Sequence, residues 1–305
     1  RSIWVTGVQT CALPIFNITG VRNGALIADV FTIGKLVPLV LFVAVGLFFV
    51  EPARFEAATI QVDYTSFSAA VFLLVFAFTG FEAAVIPGGE IKDPHRTVPF
   101  GALVALAVIA PLYVLIQIVC TGTLPGLAES TRPLADSAAS FLGAAGGTLM
   151  VATALVSITG TLNGIMLASP RVLFAMAQRS QLPPPFGRSH ARFHTPHVSI
   201  LVTAAIILVL ALSGSFITLV AMATLARLST FAATCAAVPI LRRRDSEQPA
   251  PFRAPGGMIT VGLALLLIGW LVSSSSLQEA VSVAIALLVG LGILVATRIW
   301  SRPTT

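Results

Sequence analysis

Eight long apolar runs, separated by short polar stretches, dominate this chain. They occupy roughly residues 25–50, 67–90, 100–121, 146–169, 198–213, 216–241, 258–276 and 279–298. Most are close to the 20 or so residues that an α-helix needs to cross about 30 Å of hydrocarbon. The fifth is shorter, at 16 residues, and the fourth is the least regular. Eight membrane-spanning helices are therefore expected. The longest loops, 51–66 and 121–145, are too short to bury a core of their own, so no soluble domain is expected between the spans. Proline-rich stretches such as Leu182–Gly187 and Pro249–Gly257 punctuate the connections without dividing domains.

Composition takes the same direction. Of 305 residues, 56% are hydrophobic and only 10% charged, with a mean hydropathy of +0.96, whereas a soluble domain carries about 25% charged residues. The fold class expected is an all-α polytopic membrane protein. A net charge of +6 and a pI near 10 would suit a nucleic-acid partner, but the basic residues sit in short loops instead of one patch, and topology accounts for them. One alternate set of loops carries Arg22, Lys92, Arg96, Arg171, Arg179, Arg188, Arg192, Arg242, Arg243, Arg244, Arg253, Arg298 and Arg302; the other carries only Arg54 and Arg132. That asymmetry predicts cytoplasmic locations for both ends, with the lipid bilayer as partner and nucleic acid excluded. Sixteen arginines against two lysines fit a GC-rich bacterial genome.

The first residues break the pattern. Val5–Ile15, VTGVQTCALPI, matches the translation of a sequencing-library adapter and continues nothing downstream. Residues 1–15 are therefore expected to be an adapter artefact, 16–302 the membrane domain, and 303–305 a tail.

FAFTGFE, Phe76–Glu82, places a glycine and a carboxylate in the middle of the second run. A carboxylate at bilayer depth is costly and marks function by default. Gly80 marks where the helix can unwind, and backbone groups freed there need partners that a bound polar solute can supply. The segment therefore reads as a transporter's substrate site. Phe76 and Phe78 could wall a substrate or simply pack, and Thr79 could donate a hydrogen bond. Glu82 has three readings: a structural carboxylate bonded to backbone freed at Gly80, a partner of Arg227 in the sixth run, or a direct substrate or proton contact. Gating or structure is favoured for Glu82 and Arg227.

Lys35 lies deep in the first run, and a buried charge there costs roughly 2.5–3.5 kcal/mol on insertion scales. Snorkelling is difficult from that depth, so the lysine is read as a group that takes and releases a proton in each cycle. In the fourth run, SITGTLNG, the small residues by default serve close helix packing. Ser157 and Thr161 stand one turn apart on one face, where either can accept a hydrogen bond from a lysine ammonium. Cys11, Cys120 and Cys235 show no paired or CxxC spacing. His190 and His194 are four apart without an acidic or cysteine partner, so no metal is expected. No nucleotide-binding or hydrolase motif is present, and no cofactor is expected.

Several stretches together resemble the amino acid–polyamine–organocation (APC) superfamily, specifically its bacterial amino acid permeases. Phe76–Pro99 is similar to that family's sixth helix and following loop, and Ser169–Pro196 to the loop after its eighth helix. NITGVRNG before the first span, VPILRRR and FRAPGG add to the match. The resemblance implies a twelve-helix carrier of the LeuT type, built from two inverted five-helix repeats. In that register the eight spans are helices 5 to 12, helix 6 is broken near Gly80, and the chain is an amino-terminally truncated fragment. The family binds its amino acid between broken helices 1 and 6, with the helix 6 backbone taking the amino group. By position, Phe76, Ala77, Phe78, Thr79 and Gly80 fall on the unwound stretch. Lys35 matches a helix 5 lysine that, in proton-coupled members, occupies the place of a sodium ion, and Thr161 falls on the helix 8 hydroxyl position near it.

The expected function is secondary transport of an amino acid across the bacterial cytoplasmic membrane, coupled to protons as symport by alternating access, in a fragment inactive alone. The alternative is an exchanger or polyamine carrier of the same fold. A channel would show repeated polar rings, and an enzyme a catalytic pair, neither of which is evident.

Overall fold

A computed structural model describes residues 21–56, 63–82, 91, 93–191, 193, 195–213, 216–244 and 256–273, together with 281, 283–285, 288, 290–292 and 295. The side chains of 21–27 and 213–218 lie outside that description, as do residues 1–15, read as adapter, and the tail 303–305.

The described residues form helices joined by turns and short connections, with no strand among them. In order they form α1 (Val21–Gly46), a 3₁₀ turn (Leu47–Phe49), a short α2 (Ala53–Glu56), α3 (Tyr64–Ala77), α4 (Pro94–Thr123), α5 (Pro133–Gln178), α6 (His197–Ser213), α7 (Phe216–Arg244) and α8 (Gly257–Ser273). Residues 281–295 are helical wherever described. Lipid offers no hydrogen bonds, so apolar runs of this length close their backbone bonds internally. Among the described residues, four stretches are long and apolar enough to cross a membrane: Ala28–Phe49, Pro94–Thr123, Pro133–Gln178 and Leu219–Arg244. Tyr64–Ala77, His197–Leu212 and Gly257–Ser273 are shorter apolar helices. Large apolar side chains point outward, with Phe48 89% and Leu266 72% exposed. Such surfaces suit hydrocarbon and not water.

The 46 residues of α5 conceal a corner. Run straight, they would reach about 69 Å at 1.5 Å per residue, more than twice a hydrocarbon core of about 30 Å. Gly143, at φ 67° and ψ −165°, breaks the run into 133–142 and 144–178. Only glycine takes that backbone conformation readily. The second piece contains the fourth apolar run.

Two compact units result. The first comprises Arg1–Ile60, Leu103–Ala177 and Pro184–Val209. Its core gathers Phe42 and Val43 of α1, Leu112, Val119 and Cys120 of α4, and Ala135, Ala138 and Met150 of α5. Helices approach closely through glycine. A Cβ on Gly46 would lie 2.4 Å from Val119 Cγ1, and one on Gly122 2.6 Å from Val50 Cγ1. The Glu51 amide donates to the Gly122 carbonyl at 3.0 Å, fastening the chain after α1 to the end of α4. A buried polar cluster sits beside these contacts. The Ser137 hydroxyl, fully buried, shares a 2.7 Å hydrogen bond with Thr123 Oγ1 and another with the Cys120 thiol.

The second unit comprises Gln61–Ala102, Gln178–Pro183 and Leu210–Thr305. Phe72 of α3, Ala221, Leu225 and Leu228 of α7, Leu271 of α8 and Val283 form its core. Trp270, near the end of α8, donates its indole N–H to the Tyr64 hydroxyl at the start of α3, and its ring lies 6.3 Å from that of Phe67. The end of α8 is thereby fastened to the start of α3.

The Ser137 cluster should carry measurable stability. Ser137→Ala leaves a buried Thr123 hydroxyl with one partner fewer, and a cost of about 1–3 kcal/mol is expected. Denaturant titration of the purified protein in detergent checks it; an unchanged midpoint would remove the cluster from the stabilising contacts.

Candidate functional site

In the second unit the helical ladder of α3 stops at Ala77. The Phe78 amide is shared between the Leu74 and Val75 carbonyls at 3.3 and 3.2 Å, and the Thr79 amide reaches the Phe76 carbonyl at 3.1 Å, so the last turn tightens. Thr79 Oγ1 donates to that same carbonyl at 2.7 Å. Two donors thus occupy the two lone pairs of the Phe76 oxygen. Gly80 then turns the chain at φ 117°. No atom lies within 4 Å of where its Cβ would stand, so the backbone angle requires glycine and crowding does not.

Glu82 holds this break together. One carboxylate oxygen accepts the Gly80 amide at 2.8 Å, and the other forms an ion pair with the Arg227 guanidinium of α7. Both side chains are about one-third exposed, at 31% and 35%. Each would be costly alone at bilayer depth; together, with a backbone donor as third member, they neutralise one another. The two structural options open for Glu82 in the sequence are therefore realised at once.

One turn beyond Arg227 lies Phe231, whose ring stacks on Phe81 with centroids 5.9 Å apart and planes at 23°. α7 therefore grips the break at two points four residues apart, one ionic and one aromatic. Beside the break, Val71, Leu74, Val75, Phe78, Thr79, Phe81 and Phe231 line a hollow of about 280 Å³. Of the residues expected at the unwound stretch, Phe78 and Thr79 border this hollow; Phe76 is half-buried, while Ala77 and Gly80 are exposed. Phe231 was not singled out from the sequence, although its helical spacing from Arg227 was there to be read.

The other expected residues belong to the first unit. Lys35 is half-buried on α1, Ser157 half-buried on α5, and Thr161 exposed, its hydroxyl donating to the Ser157 carbonyl at 2.9 Å. The helices meet beside them. A Cβ on Gly34 would stand 3.2 Å from Val156 Cγ1, and one on Gly160 2.7 Å from Phe31 Cβ. Phe31, Gly34 and Lys35 share a face of α1, and Ser157 and Thr161 follow Val156 and Gly160 by one residue along α5. Among the described residues, no hydrogen bond joins the Lys35 ammonium to Ser157 or Thr161. Of the histidine pair in HARFH, His190 accepts the Phe193 amide at 3.3 Å and His194 lies outside the described residues. No group of three metal-ligating side chains gathers among the described residues.

The amino acid permease family matches residues 1–299. The chain belongs to that family. The match runs through the stretch read as adapter. This permease chain is 28% identical over 286 residues to the serine/threonine exchanger SteT of Bacillus subtilis, covering 92% of the chain and 65% of the exchanger. It is 29% identical over 292 residues to the branched-chain amino acid permease BcaP of the same organism, covering 93% of the chain and 61% of BcaP. It is also 31% identical over 242 residues to the methylthioribose transporter of that organism, covering 77% and 51%. The chain thus spans between half and two-thirds of the length of these curated relatives. The family and these relatives are named as permeases, exchangers and transporters, and the chain is a multi-pass membrane protein.

The three-membered arrangement at Glu82 can be tested by a double-mutant cycle. Glu82→Gln and Arg227→Gln are each expected to lower the thermal midpoint of the purified permease. The double variant should lose less than the sum, with a coupling of roughly 0.5–3 kcal/mol. Strictly additive losses would show that the two side chains act independently.

Proposed function

We propose that this chain is the helix 5 to helix 12 portion of a proton-coupled amino acid symporter of the bacterial inner membrane, working by alternating access on a LeuT-type scaffold. The observation that carries the proposal is the break after Ala77, where a glycine-dependent turn and a shared carboxylate sit inside an apolar run. A discontinuous helix at membrane depth is tolerated where it lines a cavity or binds a polar solute. In this reading Phe76, Ala77, Phe78, Thr79 and Gly80 meet the amino end of the substrate. Glu82 and Arg227 form a latch that keeps the unwound stretch ordered. Lys35 carries the coupled proton, with Ser157 and Thr161 as hydroxyl acceptors on the facing helix. In this reading both ends of the chain face the cytoplasm, which the arginine distribution supports.

Exchange is the second reading, favoured by the likeness to a serine/threonine exchanger. It replaces the proton step at Lys35 by obligatory counter-transport on the same scaffold.

The full-length gene product in proteoliposomes separates these readings. Symport predicts that an imposed gradient, acidic outside, drives accumulation of a labelled amino acid against its concentration. Lys35→Ala is expected to abolish that drive. Uptake that is unchanged in Lys35→Ala removes the lysine from coupling. Uptake that appears only in vesicles preloaded with amino acid establishes exchange.

A further inference from the structure

The geometry points to Phe231 as the residue that sets which substrate side chains the carrier accepts, and to neutral, apolar side chains as the class it prefers. The inference rests on the reading of the break as a substrate site and adds to it the pocket beside that site.

The hollow along the break holds about 280 Å³, several times the ~30 Å³ share of one water molecule. Its walls are Leu74, Val75 and Phe78 from the end of α3, Thr79 and Phe81 from the broken stretch, and Phe231 from α7. None carries a charge. Its one hydroxyl, on Thr79, spends its proton on the Phe76 carbonyl. A charged or strongly polar side chain entering here would lose its hydration and gain no donor in exchange, whereas an aliphatic or aromatic one would only gain contact. The hollow borders Phe78 and Thr79, the stretch assigned to the amino end of the substrate, so an amino acid held there has its side chain within reach. Phe231 is the wall that comes from another helix. Its ring is fixed against Phe81 and anchored one turn from the Arg227–Glu82 pair, so its position is set and its size decides the room left.

The test uses the full-length carrier in proteoliposomes, with initial rates for alanine, valine, leucine, phenylalanine, lysine and glutamate. The wild type should favour the apolar members over lysine and glutamate by at least about tenfold. Phe231→Trp, which fills the hollow, should cut the leucine-to-alanine ratio of kcat/KM by about tenfold. Phe231→Leu, which enlarges it, should move the phenylalanine-to-alanine ratio in the opposite sense, and serves alone if the tryptophan variant fails to insert. A ranking that neither variant changes overturns the inference and assigns the hollow to a lipid chain or to another part of the protein. A wild type that takes lysine or glutamate as readily as leucine overturns it as well. A wild type that moves no amino acid at all overturns the underlying function instead.

Discussion

A charge and an interrupted backbone cannot be left unpaired at membrane depth, and here one side chain answers both demands. Glu82 accepts the Gly80 amide with one oxygen and pairs with Arg227 through the other. Remove either partner and the remainder is worse than an uninterrupted apolar helix would have been, because a lone ion in hydrocarbon costs more than the pair returns. α7 supplies the counter-charge that the carboxylate at this break requires.

The dependence runs outward from there. Arg227 and Phe231 occupy one face of α7, and the neighbouring Leu225 and Leu228 bury that helix in the same core as Phe72 of α3 and Leu271 of α8. The packing of three helices thereby fixes where the guanidinium and the ring stand, and so fixes the shape of the turn they hold. Tyr64 and Trp270 secure the opposite end of α3. The break therefore lies between two fastened points. The first unit is fastened differently, by close approach at Gly46, Gly122 and Gly160, where an added Cβ would collide with a neighbour, and by a tight contact at Gly34. Lacking a hydrophobic drive in lipid, helices gain contact there by shape.

Much of this was legible in the residues. Apolar length alone marks the helices, since a stretch of such composition has no other way to satisfy its backbone in lipid. Gly80 and Glu82 advertised the break, because both are expensive in a continuous span. What the sequence could not express was how the alternatives combine. Backbone support and pairing with Arg227 looked like rival accounts of Glu82, yet a carboxylate has two oxygens and uses one for each. The corner at Gly143 stayed hidden because residues 121–145 read as a connecting loop, whereas the structure carries helix from Pro133 up to that glycine and on beyond it. Phe231 was one phenylalanine among nineteen, and nothing but its partner distinguishes it. The lysine and hydroxyl positions were readable as depth and spacing on helices that do meet at Gly34 and Gly160, but a hydrogen bond from a lysine to a hydroxyl depends on the lysine's rotamer, which spacing does not encode.

The state of the Phe76 carbonyl bears on how such a site could work. With the Thr79 amide and hydroxyl both donating to it, this carbonyl is satisfied within the break itself. An incoming ammonium that sought this oxygen would have to displace the Thr79 hydroxyl, a neutral donor, and put a charged one in its place. Charged hydrogen bonds are the stronger kind, so the exchange favours the bound form while leaving the empty form intact. A ligand shifts a conformational balance only by its differential affinity for the two states. A threonine that surrenders its acceptor to substrate offers such a difference, since the freed hydroxyl must then turn elsewhere and the turn that it braced is loosened. In the proposed carrier, binding would thereby be felt first at Thr79, and passed to Gly80 and Glu82, which are its neighbours in the same turn.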